Sequence, residues 1–249
     1  MAVLISMQKV FLNGDFIDKD SAKISIFDRG FIFGDGIYEV VPVINGVMVE
    51  KQGFWDRFKR SLNEIDLSLP YSKDEFENIL NELIKINSLN EGGIYIQITR
   101  GIAQRDFSFV SGITPTVMAF AFSDSVLEHP GAKSGITIIS TPDIRWKRRD
   151  IKSISLLGQC YAKNQATIAG ADECFMVEDG YVTEAGSSSA FIIKDGALIT
   201  KPLSNEILPG IRRQRLLNLA KEIGLKIEER KFSMDEVYNA DECFISAAT

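Results

Sequence analysis

The sequence predicts an α+β protein of two domains. Three observations carry this prediction. Four pairs of β-rich runs meet at Asn-Gly or Asp-Gly dipeptides, segments with helical apolar spacing lie between some of them, and a connector rich in turn residues divides the chain near its middle. Asn-Gly and Asp-Gly between apolar runs favour tight hairpins, because both turn positions need positive φ.

In chain order, Lys9-Val10-Phe11-Leu12 runs into Asn13-Gly14, and Tyr38 to Ile44 runs into Asn45-Gly46 before Val47-Met48-Val49, which makes two hairpins. Helices are expected over Phe54 to Leu67 and Phe76 to Ile86. Ser72, with Glu75 three positions on, forms a capping box for the second. Its residues Phe76, Ile79, Leu80, Leu83 and Ile84 recur at helical spacing and would face a sheet. Ile94 to Thr99 and Thr116 to Phe122 read as strands, and Ser123 to Ser134, holding Pro130 and Gly131, reads as the connector. This gives a smaller N-terminal domain over residues 1–122 and a larger C-terminal one over 135–249. The second contains a strand at Ile136 to Ser140, a helix from Ser155 to Ala169 stopped by Gly170, and hairpins at Asp179-Gly180 and Asp195-Gly196. A helix from Pro209-Gly210 to Gly224, a further strand, a capping box at Ser233 and Glu236, and an apolar run Glu242 to Ser246 follow. The order is α+β and not βαβ.

With 249 residues, 45% hydrophobic and 25% charged, the chain can bury one large core or two modest ones. Its 34 acidic against 28 basic side chains leave a formal charge of −6, which argues against nucleic acid and for a small-molecule partner. Met1 to Val10 lacks a secretory signature and no stretch is apolar enough to span a bilayer, so the cytoplasm is expected. Cys160, Cys174 and Cys243 lie in apolar segments and read as reduced core thiols. The single histidine, His129, falls in the connector, which argues against histidine-dependent catalysis and against a metal site.

Three stretches have unusual chemistry. Arg145, Lys147, Arg148, Arg149 and Lys152, flanked by Asp143 and Asp150, form either a solvated basic surface or an anion site. A cationic neighbourhood would also favour a neutral lysine amine able to form a Schiff base. Glu184-Ala-Gly-Ser-Ser-Ser189 is either a plain loop or a place where backbone approaches a ligand closely. Leu208-Pro-Gly-Ile-Arg212 opens a helix, and helix N-termini bind phosphate, although every helix has one.

Together with Asp28-Arg-Gly-Phe-Ile-Phe-Gly-Asp-Gly-Ile-Tyr-Glu-Val40, Asp56-Arg57, Thr99-Arg-Gly101, Asp150-Ile-Lys-Ser153 and Thr183-Glu184, these stretches occur in the order found in a known family. From about Val10 to Thr249 the chain resembles the fold type IV aminotransferases, which use pyridoxal 5'-phosphate, and within them the bacterial D-amino acid aminotransferases. The resemblance implies that Lys152 holds the cofactor and moves the proton between substrate and cofactor. It implies that Glu184 meets the pyridine nitrogen, that Arg57 binds the phosphate with its planar fork, and that the amides of Ile211 and Arg212 complete the phosphate cradle. Leu208 would pack on the ring, and Ser187 and Ser188 would line the cofactor site. Ala248 stands where a hydroxyl residue usually touches the phosphate, leaving a backbone contact, with Thr249 as a substitute.

For substrate, the resemblance implies that Tyr38 and Arg105 hold the carboxylate, Arg105 being supplied by the partner of a homodimer. Phe107 stands where a histidine is usual, so that trap is altered. Arg29, Arg148 and Arg149 are the other candidate anchors, or surface charges. Leu156-Leu157 and Gly36-Ile-Tyr-Glu-Val-Val41 match the D-amino acid enzymes better than the branched-chain ones. The implied reaction is transfer of an amino group between a D-amino acid, such as D-alanine or D-glutamate, and a 2-oxo acid, such as 2-oxoglutarate or pyruvate. Rival readings are a branched-chain L-aminotransferase or aminodeoxychorismate lyase of the same fold, or a non-catalytic protein that binds a phosphorylated ligand. Chains of the family continue for a few dozen residues beyond the position of Thr249, so the C-terminal domain is expected to be incomplete.

Overall fold

A computed structural model describes residues 9–129 and 131–248. The expectations for the first residues of the chain, Pro130 and Thr249 lie outside the described residues. The chain divides into two compact units, one running to Glu128 and including Lys152–Ser155, the other made of His129–Ile151 and Leu156–Ala248.

The first unit contains strands β1 (Lys9–Leu12), β2 (Asp15–Asp18), β3 (Gly36–Ile44), β4 (Val47–Met48), β5 (Glu91–Thr99) and β6 (Thr116–Ser123), with helices α1 (Arg29–Phe33), α2 (Lys51–Glu64) and α3 (Lys73–Ile86). The strands form one antiparallel sheet in the order β2-β1-β6-β5-β3-β4. Both predicted hairpins are present, with Asn13 and Asn45 at φ of 51° and 53° and a glycine after each. The Ser72–Glu75 capping box is formed on α3. Phe76, Leu80, Leu83 and Ile84 are buried, as are Phe54, Trp55, Phe58 and Leu62 of α2. Phe58 and Phe76 stack at 6.2 Å with planes 5° apart. Burial of one such side chain stabilises the unit by about 1.5–3 kcal/mol. Along β3, Ile37, Val41 and Val43 are buried on one face, and the residue that shares their face is Glu39.

The second unit contains α4 (Gly131–Ser134), β7 (Ile138–Pro142), α5 (Leu157–Ile168), β8 (Glu173–Glu178), β9 (Tyr181–Ala185), β10 (Ser189–Lys194), β11 (Ala197–Thr200), α6 (Ile211–Glu222), β12 (Lys226–Glu229), α7 (Met234–Tyr238) and β13 (Glu242–Ser246). Its sheets run β7-β8-β9 and β12-β11-β10-β13. Hairpins turn at Asp179 and Asp195, with φ of 52° and 50°. The Ser233–Glu236 capping box is also formed. One core holds Phe175, Val182, Ile192, Ile199 and Phe232, and another packs Phe191 and Leu198 on Leu217 of α6.

Several expectations are corrected here. The fold is α+β, yet β7 and β8 are parallel and joined through α5, and β11 and β12 are parallel and joined through α6. Both are βαβ crossovers, invisible to hairpin signals because turn chemistry reports only adjacent antiparallel strands. Strand β7 starts at Ile138, two residues late, because the Thr137 amide donates to Asp172 Oδ2 instead of joining a ladder. Helix α5 starts at Leu157 and not Ser155: the Tyr38 amide donates to Lys152 O, and the Ile154 amide to Gly36 O. Those bonds keep residues 152–154 out of the helix, and Lys152–Ser155 group with the first unit. Only Cys174 is a buried thiol; Cys160 and Cys243 are exposed, Cys243 on the edge strand β13.

Candidate active site

In the first unit, Lys152 is placed by backbone bonds from three directions. Its carbonyl accepts from Tyr38, its amide donates to Ser61 Oγ of α2, and Ser153 bridges to Ile37. Such close approach needs small residues opposite. A Cβ at position 36 would lie 2.4 Å from Ile98 O and 3.1 Å from Ile154 Cδ1, and one at position 34 would lie 2.6 Å from Ser155 Oγ. The glycines of Gly34-Asp-Gly36 are therefore spacers for the lysine segment. Lys152 Nζ stands 4.2 Å from the centroid of the Tyr38 ring, a cation–π distance. Tyr38 stacks on Tyr95, which stacks on Phe120. Burial, with Tyr38 adding to it, pushes the Tyr95 phenol up to about 12, so Tyr95 is neutral at ordinary pH.

Arg57 lies in the second turn of α2, because the helix begins at Lys51 and not at Phe54. Its Nε and Nη2 donate to both oxygens of Glu39 at 2.8 and 2.7 Å. The planar fork expected to bind a phosphate is thus turned to a carboxylate, and successive strand residues put Tyr38 and Glu39 on opposite faces of β3.

Arg29 is neither a surface charge nor directed at solvent. It is 2% exposed, donating from Nε to Asp35 Oδ2 at 2.7 Å and from Nη1 to Asp106 O at 2.6 Å. Arg105 is exposed, with its guanidinium carbon 5.0 and 5.8 Å from the Phe107 and Phe33 rings.

In the second unit, Glu184 on β9 is buried. Its Oε2 accepts from Arg145 Nη1 at 2.6 Å and its Oε1 from the Leu208 amide at 3.1 Å. Burial holds the Glu184 carboxyl above the usual range, against the opposing pull of Arg145 and the Leu208 amide. Asp143 holds Arg145 through two further bonds at 3.0 and 2.8 Å. That charge assistance outweighs the burial of Arg145 and drives its own pKa up. Both Glu184 oxygens accept from N–H donors, the bonding of a carboxylate, and the guanidinium beside it keeps its proton.

The basic cluster therefore divides. Arg145 and Arg149 are buried in ion pairs with Asp143, Glu184 and Glu178, whereas Lys147 is exposed and reaches Glu178 from outside. Arg148 is partly exposed and pairs with Asp150. The turn after Glu184 closes with the Ala185 amide donating to Ser188 O, and Gly186 is required because a Cβ there would lie 2.6 Å from Lys163 Cδ and 2.7 Å from Glu173 Oε1. Ser188 is buried and Ser187 exposed.

Helix α6 begins after Gly210 without a side-chain cap, so Ile211 and Arg212 present amides at its N-terminus. Gly210 packs so closely on β10 that a Cβ would lie 2.7 Å from Ser189 Oγ. Ser246 pairs with Ser189 across the sheet, and its hydroxyl is buried with no partner among the described residues. Arg212 Nη2 donates to Ala248 O at 2.9 Å. The structure thus brings Glu184 to Leu208, and Ile211, Arg212 and Ala248 to one helix end.

Glu39 and Arg145 contact the predicted site residues Arg57 and Glu184, and Ser246 pairs with Ser189; sequence alone assigns none of the three such a partner. Glu39 had a signal, an acid on the apolar face of a strand; Arg145 was hidden among neighbouring basic residues.

Comparison with known proteins identifies the family. D-alanine aminotransferase of Staphylococcus haemolyticus is 41% identical over 244 residues, covering 98% of this chain and 86% of that protein. The enzyme of the same name from Bacillus licheniformis is 39% identical over 241 residues, covering 97% and 85%. Among solved structures, the branched-chain amino acid aminotransferase of Escherichia coli superposes with a TM-score of 0.90 at 23% identity, covering 97% of this chain and 83% of that one. The Thermoproteus uzoniensis branched-chain aminotransferase gives 0.82 at 26% identity, covering 97% and 84%. The family described as amino-transferase class IV matches residues 36–249, and the chain belongs to that family.

Proposed function

We propose that this aminotransferase moves an amino group between a D-amino acid, such as D-alanine or D-glutamate, and a 2-oxo acid, such as 2-oxoglutarate or pyruvate. The observation that carries the reading is identity of about 40% with D-alanine aminotransferases across nearly the whole chain. Identity with the branched-chain enzymes is lower, at 23% and 26%.

The residues present fit pyridoxal 5'-phosphate. An uncapped helix N-terminus at Gly210, which packs on Ser189, and a buried Ser246 hydroxyl without a partner among the described residues, paired across the sheet with that same Ser189, suit a phosphate. That group, when bound, would supply the electron sink for the electron pair left on an amino acid's α-carbon when a base removes its proton. Lys152 is the covalent anchor through Nζ and, once displaced by substrate, the base that moves the proton. Glu184, kept ionised by Arg145, is the acceptor for the protonated ring nitrogen. Leu208 is tied to the same carboxylate and lies against the ring. Arg57, aimed by Glu39, joins the amides of Ile211 and Arg212 and the backbone at Ala248 in holding the phosphate, with Ser187, Ser188 and Thr249 lining the cofactor site. Tyr38 and Arg105 take the substrate carboxylate, and Phe107 narrows that subsite in place of a polar partner.

Residues 1–122 and 135–249, joined by the connector 123–134, are the two domains of this reading. The protein is cytoplasmic and a homodimer. Ile26, Phe27, Phe31, Ile102 and Phe107 are large apolar side chains left exposed. The Ala103 amide donates to Phe27 O and Asp28 bridges to Ile102, so these segments belong to one surface, suited to a second copy. Among the described residues no helix is long and apolar enough to cross a membrane.

Borohydride reduction of the cofactor-loaded enzyme followed by peptide mapping tests the anchor. The label is expected on Lys152, and a label elsewhere or none would refute it. Release of pyruvate from a substrate without any amino acceptor would replace transamination by a lyase reaction.

A further inference from the structure

Asp28-Arg29-Gly30 sits at the base of the segment 100–115 that joins β5 to β6 and carries Arg105 and Phe107. The Asp28 carboxylate accepts from Gly30 N at 2.8 Å, capping α1, and through Oδ2 from Thr99 Oγ1 at 3.0 Å and Thr116 Oγ1 at 2.6 Å. Thr99 ends β5 and Thr116 begins β6, so one fully buried carboxylate ties both feet of the loop together. Gly30 is required there, because a Cβ would lie 2.2 Å from Thr99 Cγ2.

Arg29 then reaches the middle of the loop. Its Nη1 donates to the Asp106 carbonyl, between Arg105 and Phe107, and its Nε to Asp35, which also accepts from Arg100 Nε at 2.8 Å. The Phe33 ring lies 4.8 Å from the Arg29 guanidinium carbon and 5.5 Å from the Phe107 ring. Arg105 stands over Phe33 and Phe107, and Arg100 over Phe109 at 3.9 Å.

A buried guanidinium with Nε on a neighbouring carboxylate and Nη1 on a loop carbonyl is built to hold that loop. We infer that Arg29 is a positioning residue for the substrate carboxylate: through Asp106 O and Phe33 it fixes the height of Arg105. This rests on the reading of Arg105 as a carboxylate ligand. Interactions at the loop are then coupled and not independent.

The test is a double-mutant cycle on the loaded holoenzyme, using Arg29→Gln, Arg105→Ala and the pair, with KM for D-alanine, kcat and cofactor absorbance as readouts. Arg29→Gln is expected to raise KM at least fivefold with kcat and absorbance little changed, and the double variant is expected to match Arg105→Ala alone. Additive effects, or a KM unchanged by Arg29→Gln, would overturn the positioning role while leaving Arg105 in place. An unchanged KM in Arg105→Ala would overturn both. Should Arg29→Gln fold poorly, Phe33→Leu keeps the Arg29–Asp35 pair and removes the shared ring. It is expected to raise KM in the same direction and to speed tryptic cleavage after Arg105 without shifting the Tm, and unchanged cleavage and KM would refute the proposal.

Discussion

In the first unit Arg57 meets Glu39 at 2.7 and 2.8 Å, and in the second Arg145 meets Glu184 at 2.6 Å, all four side chains being buried. The geometries are close but the uses are opposite. Glu39 spends both oxygens on one guanidinium, so the carboxylate serves the arginine and sets its direction. Glu184 spends one oxygen on Arg145 and the other on the Leu208 amide, and Arg145 is itself held by Asp143, so there the arginine is one of two donors to the carboxylate and lowers the cost of its charge. A buried ion pair thus says little about role until the remaining bonds of each partner are traced.

In the proposed reaction Lys152 carries the chemistry. Lys152→Ala is expected to remove on the order of 10⁴-fold from kcat and to abolish borohydride fixation, the largest effect. Arg145→Met should come next, with kcat down on the order of 10²–10³-fold and stability down by about 3–5 kcal/mol, because a buried carboxylate loses its partner. Burial and the Asp143 charge would then raise the Glu184 carboxyl further against the Leu208 amide alone, so the residual rate should rise with pH more steeply than the wild-type rate. Adding Glu184→Gln should restore stability, measured by urea unfolding, and not the rate.

Glu39→Gln should act differently. Cofactor affinity is expected to fall about tenfold, equivalent to about 1.4 kcal/mol, with kcat recovered at saturating cofactor. A loss of kcat that excess cofactor does not repair would erase the distinction between the two pairs.

The smallest expected effect concerns acid stability. Burial opposes ionisation of Asp143, but the Arg145 and Thr183 contacts prevail and hold its carboxyl below the usual range. A carboxyl lowered in the folded state stabilises fully above its unfolded value, about pH 4, and this contribution is lost as pH falls through the folded value. Asp143→Asn should therefore lower Tm at neutral pH and narrow the gap to wild type on acidification.

Much of this was legible in sequence because it depends on local chemistry. The four hairpin turns, both capping boxes and the apolar face of α3 follow from dipeptides and spacing. The parallel pairings were not, since strands joined through a helix leave no mark at either end. The start of α5 was misplaced because distant hydrogen bonds to β3 override the helical preference of Ser155. Family motifs pointed to Lys152 and Glu184 but not to what holds them. The partners Arg145 and Asp143 lie two residues apart in a run of charges, where sequence cannot tell a buried pair from a solvated one, and Asp28 and Arg29 act on a loop more than seventy residues away.

The reading of this chain as a D-amino acid transaminase is tested most directly by a half-reaction. Cofactor-loaded enzyme is mixed with D-alanine, D-glutamate or L-leucine, without acceptor, and the absorbance of the bound pyridoxal form is followed. Rapid loss with the D-amino acids and none with L-leucine is the predicted result. Loss with L-leucine alone would contradict the assignment of substrate.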